Sequence, residues 1–171
     1  HTLFYDIELP LINVLADMQI EGFKVDADEL ARFGNFLQDN IESFEKEIYS
    51  LAGEKFNINS PKQLGEILFG KLGLKGGKKT KTGYSTKADV LEKLAPDNEI
   101  VRIVLEYRTY QKLKSTYCDG LSTLINKKTG RIHSVFHQTG TVTGRLSSSE
   151  PNMQNIPTRT ELGRELRKMF T

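Results

Sequence analysis

Residues 27–52 read ADELARFGNFLQDNIESFEKEIYSLA, and their apolar side chains recur at steps of three and four residues. The apolar positions are Leu30, Phe33, Leu37, Ile41, Phe44, Ile48 and Leu51. This spacing places them along one face of a helix. Asp26 and Glu29 form the pattern of an N-terminal capping box, and Gly53 is typical of a helix C-terminus. The stretch therefore predicts one long amphipathic helix over residues 27–52.

Helical spacing continues on both sides of this stretch. An upstream helix, kinked at Pro10, is expected to end at Gly22 and to lie antiparallel to the long helix. Ser60 with Gln63, and later Thr86, are expected to cap two short helices. The downstream helices are predicted over residues 61–70, 87–95 and 98–118. We therefore predict a mainly α fold class, with antiparallel long helices and a small helical tip.

The helical period fades beyond Asn126. Residues 131–138 alternate between two faces, with Ile132, Ser134 and Phe136 on the same side, which predicts a strand. Residues 141–147 are the expected antiparallel partner. The fold class thus includes a short antiparallel β segment near the end of the chain.

The composition excludes several functional classes. The chain of 171 residues is 37% hydrophobic and 27% charged, and no apolar run approaches the ~20 residues of a membrane span. No signal-peptide pattern is present, so we expect a cytoplasmic protein with no membrane partner. Cys118 is the single cysteine and has no pattern of zinc ligands around it. The start at His1 rather than Met leads us to expect an internal segment or a tag remnant.

Charge is distributed unevenly along the chain. Residues 1–60 contain four basic and twelve acidic side chains. Residues 61–90 and 101–131 each contain seven basic and two acidic side chains. A solvated Lys-rich loop could explain one such segment alone. Two segments predict a basic face whose usual partner is a polyanion, and nucleic acid is the favoured one.

A third basic segment, residues 143–170, reads TGRLSSSEPNMQNIPTRTELGRELRKMF. Its basic side chains are Arg145, Arg159, Arg164, Arg167 and Lys168, which stand among Ser, Thr, Asn and Gln. These groups donate hydrogen bonds to phosphates and base edges but supply little that could act as a nucleophile or metal ligand. The segment therefore predicts a nucleic-acid contact surface rather than a reaction centre.

Three motifs suggest chemistry but do not fit it. Residues 76–80, GGKKT, lack the spacing of a phosphate-binding loop. Asp6 and Glu8 resemble a nuclease carboxylate pair, but neighbours two apart diverge around a helix. His133 and His137 would stand about 13 Å apart on a strand, at ~3.3 Å per residue, too far to share a metal ion.

Two further sets of residues have both a local and a functional interpretation. Asn57, Asn59 and Ser60 precede a helix and could cap it, hold a phosphate, or do both. Arg108 and Lys112 lie four residues apart on the third long helix. Like charges at that spacing repel unless an anion offsets them, so the pair is either a solvated face or a backbone contact.

Four segments together carry a resemblance to a known family. They are LINVLADMQIEGFKVD, NINSPKQLGEILF, KLKSTY and TGRLSSSEPNMQNIPTR, at residues 11–26, 57–69, 112–117 and 143–159. In order and spacing they closely resemble the bacterial DNA polymerase I family, the A-family polymerases of replication and repair. The resemblance implies a thumb subdomain over residues 1–126 and the first part of the palm over residues 127–171.

The resemblance also implies a role for individual side chains. The family's grip on the primer strand corresponds to Asn57, Asn59 and Ser60, and its mobile thumb tip corresponds to Lys78, Lys81, Thr82, Ser85 and Thr86. The helix that faces the minor groove corresponds to Arg108, Lys112 and Lys114, and the arginine that reaches into that groove corresponds to Arg145. The loop at the template–primer junction corresponds to Asn152, Gln154, Asn155 and Arg159.

The family's reaction adds a deoxynucleotide to a primer end with two Mg²⁺ ions held by palm aspartates. The first of those aspartates lies in a motif expected just after Phe170. The chain is therefore expected to hold no catalytic residue or metal, to use deoxynucleoside triphosphates only as part of the whole enzyme, and to be inactive alone. The resemblance further implies a monomeric, nucleoid-associated parent enzyme, whereas the isolated chain could self-associate through incomplete palm strands.

Three hypotheses follow from these observations. The first is the thumb and palm edge of a DNA polymerase that grips primer–template DNA through its backbone and minor groove. The second is a stand-alone helical module that binds nucleic acid non-specifically without enzymatic activity. The third, a nuclease built on Asp6 and Glu8, is the least supported.

Overall fold

The computed structural model describes residues 1–81 and 83–170. Within this range the α-helices are α1 Leu9–Glu21, α2 Ala27–Ala52, α3 Pro61–Gly65, α4 Ala88–Leu94, α5 Glu99–Leu113, α6 Gly120–Leu124 and α7 Glu161–Lys168. Wider π-helical turns cover Leu3–Glu8, Glu66–Lys71 and Lys114–Asp119. Short 3-10 turns cover Ala95–Asp97 and Met153–Asn155. The mainly α fold class is confirmed.

The strands are short and pair two by two. They are β1 Phe23–Lys24, β2 Lys79–Thr80, β3 Gly83–Tyr84, β4 Arg131–Ile132, β5 Val135–His137 and β6 Ser147–Ser149. All three pairs, β1 with β4, β2 with β3 and β5 with β6, are antiparallel. The expected strand partner at residues 141–147 is therefore wrong in its bounds, since pairing begins at Ser147.

The predicted helix at residues 27–52 is confirmed as α2. The Asp26 carboxylate accepts a hydrogen bond from the Glu29 backbone N–H at 2.9 Å, as expected of an N-cap. The Glu29 carboxylate accepts from Arg32 instead of returning to Asp26. Gly53 follows with φ 74°, a left-handed conformation that favours glycine at a helix end.

The chain divides into two compact units. The first unit contains His1–Asn35 and the residues from Leu113 onward, and the second unit contains Phe36–Lys112. The core of the second unit is a continuous apolar cluster that includes Ile41, Ile48, Leu64, Leu68, Leu91, Val101, Val104 and Tyr107.

The first unit joins its two chain segments through backbone and side-chain contacts. Phe23 pairs with Ile132 across β1 and β4, and Val25 forms an isolated bridge with Phe170. Gln19 accepts a hydrogen bond from the backbone N–H of Phe136 at 2.7 Å through its side-chain oxygen. These contacts link residues more than a hundred positions apart.

Along the described residues, no helix combines the length and apolar character that a membrane crossing requires.

Candidate nucleic-acid interface

The loop before α3 is fixed by its own polar side chains. Ser60 caps α3 by accepting from the Gln63 backbone N–H at 3.4 Å, and Pro61 occupies the start of the helix. Asn57 Oδ1 accepts from the Asn59 N–H at 3.0 Å. The Gln63 side chain does not complete the expected capping box with Ser60, because it accepts from the Asn57 N–H at 2.8 Å. The loop is therefore held from both ends.

Asn59 is also tied to the core of the second unit. Its side-chain amide donates to the Tyr107 hydroxyl at 3.0 Å, and that hydroxyl donates to Glu45 at 3.3 Å. Tyr107 is 1% exposed. Burial, followed by the Glu45 charge, raises the pKa of Tyr107, so the hydroxyl stays protonated as the link between α2 and the loop. One buried tyrosine thus sets the position of a predicted DNA contact.

We define the tip hairpin as β2, β3 and the flanking residues Lys78, Lys81 and Ser85. The side chains of Lys78, Lys79 and Lys81 are exposed. The base of the hairpin is closed by a hydrogen bond from the Ser85 N–H to the Lys78 carbonyl at 2.8 Å. The Tyr84 ring lies 5.0 Å from the Phe69 ring, which packs the hairpin against its own unit. The predicted contact at Thr82 lies outside the described residues.

Ser85 and Thr86 differ from the lysines because their side chains are buried. Thr86 was expected to cap the following helix, and that prediction is wrong: Lys87 stands at the N-cap of α4. Both polar groups of Thr86 instead accept from Arg108, its carbonyl at 2.5 Å and its hydroxyl at 3.2 Å. Burial argues against direct contact between DNA and these two side chains.

Arg108 and Lys112 differ in exposure although they share one face of α5. The Arg108 guanidinium is half-buried against Thr86, and burial lowers its pKa. Lys112 is exposed. The two cations therefore differ in their surroundings, although they lie four residues apart.

Lys114 lies on the π-helical turn of the first unit. Its ammonium group contacts both carboxylate oxygens of Asp119, at 2.8 and 3.1 Å. The same turn contributes Tyr117, whose hydroxyl donates to the Asn155 carbonyl. The turn therefore supports the loop that holds Asn155, while Asp119 partly neutralises Lys114.

An open cleft of about 970 Å³ in the first unit collects several predicted contacts. Its lining includes Arg145, Gln154 and Asn155 together with apolar side chains. Arg145 is exposed, and its carbonyl accepts from the Thr141 hydroxyl at 2.7 Å. The cleft thus combines cationic, amide and apolar side chains, a combination that suits a nucleotide.

Asn152 lies outside the cleft lining, next to the 3-10 turn that contributes to it. Its Oδ1 accepts from the Gln154 N–H at 3.1 Å and from the Ser148 hydroxyl at 3.3 Å. The Ser148 hydroxyl accepts in turn from the Met153 N–H at 3.0 Å. Asn152 therefore caps the 3-10 turn that presents Gln154 and Asn155.

Sequence reasoning missed part of the cleft lining. Arg167, on α7, lines the cleft with Arg145, whereas Arg159 is exposed and lies outside the lining. Arg167 was counted among the basic residues of the C-terminal segment but not named as a contact. The sequence signal that could have found it is the helical spacing of α7. That helix begins after Thr160, whose hydroxyl accepts from the Gly163 N–H at 3.1 Å.

Residues 1–81 and 83–170 contain no group of three or more His, Cys, Asp or Glu side chains that could hold a metal ion. The Glu8 carboxylate accepts from Gln138 at 2.7 Å, and Asp6 is exposed on the first π-helical turn. His133 contacts the Gln19 carbonyl at 2.9 Å, and His137 contacts Ser149 at 2.8 Å.

Comparison with known proteins gives a consistent result. DNA polymerase I of Geobacillus stearothermophilus is 54% identical over 168 residues, which is 98% of this chain and 19% of that protein. DNA polymerase I of Bacillus subtilis (strain 168) is 52% identical over the same share of each chain. The chain therefore spans about a fifth of the length of these relatives.

A solved structure agrees with the sequence matches. It is the POL domain of Pol1 from M. smegmatis in complex with DNA primer-template and dNTP. The TM-score is 0.87 at 42% identity, with 99% of this chain and 30% of that chain covered. The profile described as DNA polymerase family A matches residues 27–171. Taken with the fold and the basic cleft, these matches establish that the chain belongs to DNA polymerase family A.

Proposed function

We propose that this chain forms part of the primer–template binding surface of a bacterial DNA-directed DNA polymerase. The observation that carries the proposal is the likeness, over 99% of the chain, to a polymerase domain solved with DNA primer-template and dNTP. Identity above 50% to DNA polymerase I argues against a stand-alone binding module.

Two surfaces are proposed to meet the DNA. The exposed lysines of the tip hairpin contact phosphates of the duplex. Arg145 and the amides of the 3-10 turn contact the minor groove and the template–primer junction. Minor-groove acceptors occur on every base pair, so such contacts test pair shape without selecting sequence. Within this proposal, residues 1–126 correspond to the thumb and residues 127–171 to the start of the palm.

Bond formation is proposed to belong to the rest of the polymerase. Divalent metal ions, Mg²⁺ in our proposal, and deoxynucleoside triphosphates are used there, and the residues described here do not fit a metal ion. No chemical step is assigned to this chain: its residues bind and orient the primed duplex. We extend the proposal to location, with the polymerase acting on DNA at the nucleoid.

The proposal is tested by measuring the affinity of the polymerase that carries this chain for primer–template DNA over a series of salt concentrations. We expect log affinity to fall with log salt by ~0.9 for each phosphate neutralised. Lys78→Ala, which removes an exposed lysine of the tip hairpin, should lower the affinity more than Arg102→Ala, which removes an exposed arginine paired with Glu99. Affinity no greater than that of an unrelated protein of equal net charge would refute the proposal.

A further inference from the structure

Arg108 is the basic residue whose observed contacts differ most from its expected role. Its guanidinium donates through two nitrogens to a single residue, Thr86, at 2.5 and 3.2 Å. Thr86 is 5% exposed. A guanidinium that is half-buried and engaged in this way is poorly placed to contact a phosphate in solvent.

The residue that Arg108 holds lies at the base of the tip hairpin. Ser85, adjacent to Thr86, donates its N–H to the Lys78 carbonyl at 2.8 Å, which closes the hairpin. Tyr84, the residue before Ser85, packs closely against Gly65: a Cβ added at Gly65 would stand 3.2 Å from both the Cβ and the carbonyl oxygen of Tyr84. The base of the hairpin is therefore held closely, while its lysines are exposed.

From this arrangement we infer that Arg108 is a positioning residue of the DNA-binding tip. It holds Thr86, and through Thr86 and Ser85 it fixes where Lys78, Lys79 and Lys81 stand relative to α5. Its contribution to DNA binding comes from the shape of the guanidinium fork rather than from its charge. This inference rests on the proposed function only for its consequence in DNA binding.

The first test uses no DNA. Amide hydrogen exchange at Ser85 is measured in the polymerase carrying Arg108→Lys, which keeps the charge but cannot reproduce the fork. We expect Ser85 to exchange severalfold faster, while the thermal midpoint of the protein stays close to that of the wild type. Thr86→Val, which removes the hydroxyl, should accelerate exchange as well. Thr86→Ser, which keeps the hydroxyl, should exchange at the wild-type rate. Unchanged exchange at Ser85 in Arg108→Lys would overturn the inference.

The second test measures whether Arg108 acts through the lysines. Primer–template affinity is measured for Arg108→Lys in the wild-type background and in a background with Lys78, Lys79 and Lys81 changed to Ala. We expect a severalfold loss in the first background and less than about a twofold loss in the second, because coupled residues are not additive. Arg102→Lys, on the same helix, is the matched control and should leave affinity unchanged in both backgrounds.

The outcomes separate the two levels of the argument. Equal losses in both backgrounds would mean that Arg108 contacts DNA independently, which overturns the inference and leaves the proposed function standing. Failure of the wild-type polymerase to bind primed DNA would overturn the proposed function, while the exchange result at Ser85 would still decide whether Arg108 holds the hairpin.

Discussion

At the scale of single residues, the candidate contacts divide into side chains that face solvent and side chains that hold other groups. Lys78 and Arg145 are exposed, whereas Thr86 is buried and Asn59 is anchored to Tyr107. A residue of the first kind acts through its own charge or hydrogen bonds. A residue of the second kind acts through position, so its loss changes several contacts together.

Arg145→Ala is expected to impair extension and mismatch discrimination more than duplex affinity. The contact proposed for Arg145 is a charged hydrogen bond, worth ~1.5–3 kcal/mol, so its loss corresponds to a fall of roughly tenfold to hundredfold in kcat/KM. Single-nucleotide incorporation opposite matched and mismatched templates measures the effect. Arg102→Ala, at an exposed arginine outside the predicted contacts, is the comparison. Extension kinetics unchanged by Arg145→Ala would contradict the role of that side chain.

Tyr107→Phe removes the hydroxyl that joins Asn59 to Glu45. We expect a loss of ~0.5–1.5 kcal/mol in the free energy of unfolding, the net value of an intramolecular hydrogen bond, because the exposed Asn59 amide can bind water instead. Urea unfolding measures the loss, and Tyr5→Phe, at an exposed tyrosine, is the control. Equal stability of the two variants would show that the network does not hold the loop.

Cys118 gives a pH-dependent prediction. Burial, followed by the Asp119 charge, raises the pKa of its thiol from 9.0 to about 11. The folded protein should therefore react with iodoacetamide roughly a hundredfold more slowly than the unfolded chain in mildly alkaline solution, since the thiolate is the reactive form.

The same shift has a consequence for stability. Because the pKa of the Cys118 thiol is raised in the folded state, the contribution of this thiol to the free energy of unfolding is fully present below pH 9.0. It is lost as pH rises through about 11. Cys118→Ala should remove this part of the alkaline loss. An alkaline unfolding curve identical in the variant and the wild type would contradict the assignment.

At the scale of elements, local signals in the sequence predicted what local contacts determine. The apolar period and Asp26 predicted α2, because an N-cap and its helix lie within a few residues of each other. The cap expected at Thr86 failed because Arg108, 22 positions away, binds that residue instead. The pairing of Phe23 with Ile132 was missed because the two residues are far apart in the sequence. In addition, two-residue strands are too short to show an alternating pattern.

The candidate site follows the same division. The basic residues were predictable from composition and from the family resemblance. Their separation into exposed lysines and a half-buried Arg108 was not, because burial depends on packing against distant residues. Arg167 was not predicted as a contact, because its place in the cleft lining depends on how α7 packs.

Two glycines provide a matched test of packing around the elements. At Gly163, on α7, an added Cβ would clash with the Pro157 carbonyl oxygen, whereas at Gly70 it would meet nothing within 4 Å. Gly163→Ala is expected to reduce stability by ~1–3 kcal/mol through overpacking, and Gly70→Ala is expected to change it little. Thermal unfolding of both variants measures the difference, and a neutral Gly163→Ala would show that the loop at Pro157 moves freely.

At the scale of the whole molecule, the net charge of +2 conceals the distribution that matters for a polyanion. Basic side chains concentrate in the tip hairpin and in the C-terminal segment, while residues 1–60 are strongly acidic. A local concentration of lysines releases counterions from DNA, and the salt dependence of binding reports that release.

Changing Lys78, Lys79 and Lys81 together to Ala should flatten the salt dependence of primer–template binding, by up to ~0.9 in log–log slope for each lost phosphate contact. Processive runs should shorten as well. A control with Lys127, Lys128 and Arg102 changed to Ala removes the same charge from other exposed positions. Equal changes in slope for the two triple variants would mean that charge alone, rather than the hairpin, determines binding.

The most direct test of the central claim is amide hydrogen exchange of the polymerase that carries this chain, with and without primer–template DNA. We predict that DNA protects the tip hairpin and the segment from Arg145 to Asn155, and that heparin, a polyanion without a primer terminus, does not protect the latter. Protection absent from both segments, or identical with DNA and heparin, would contradict the claim that this chain binds a primed duplex.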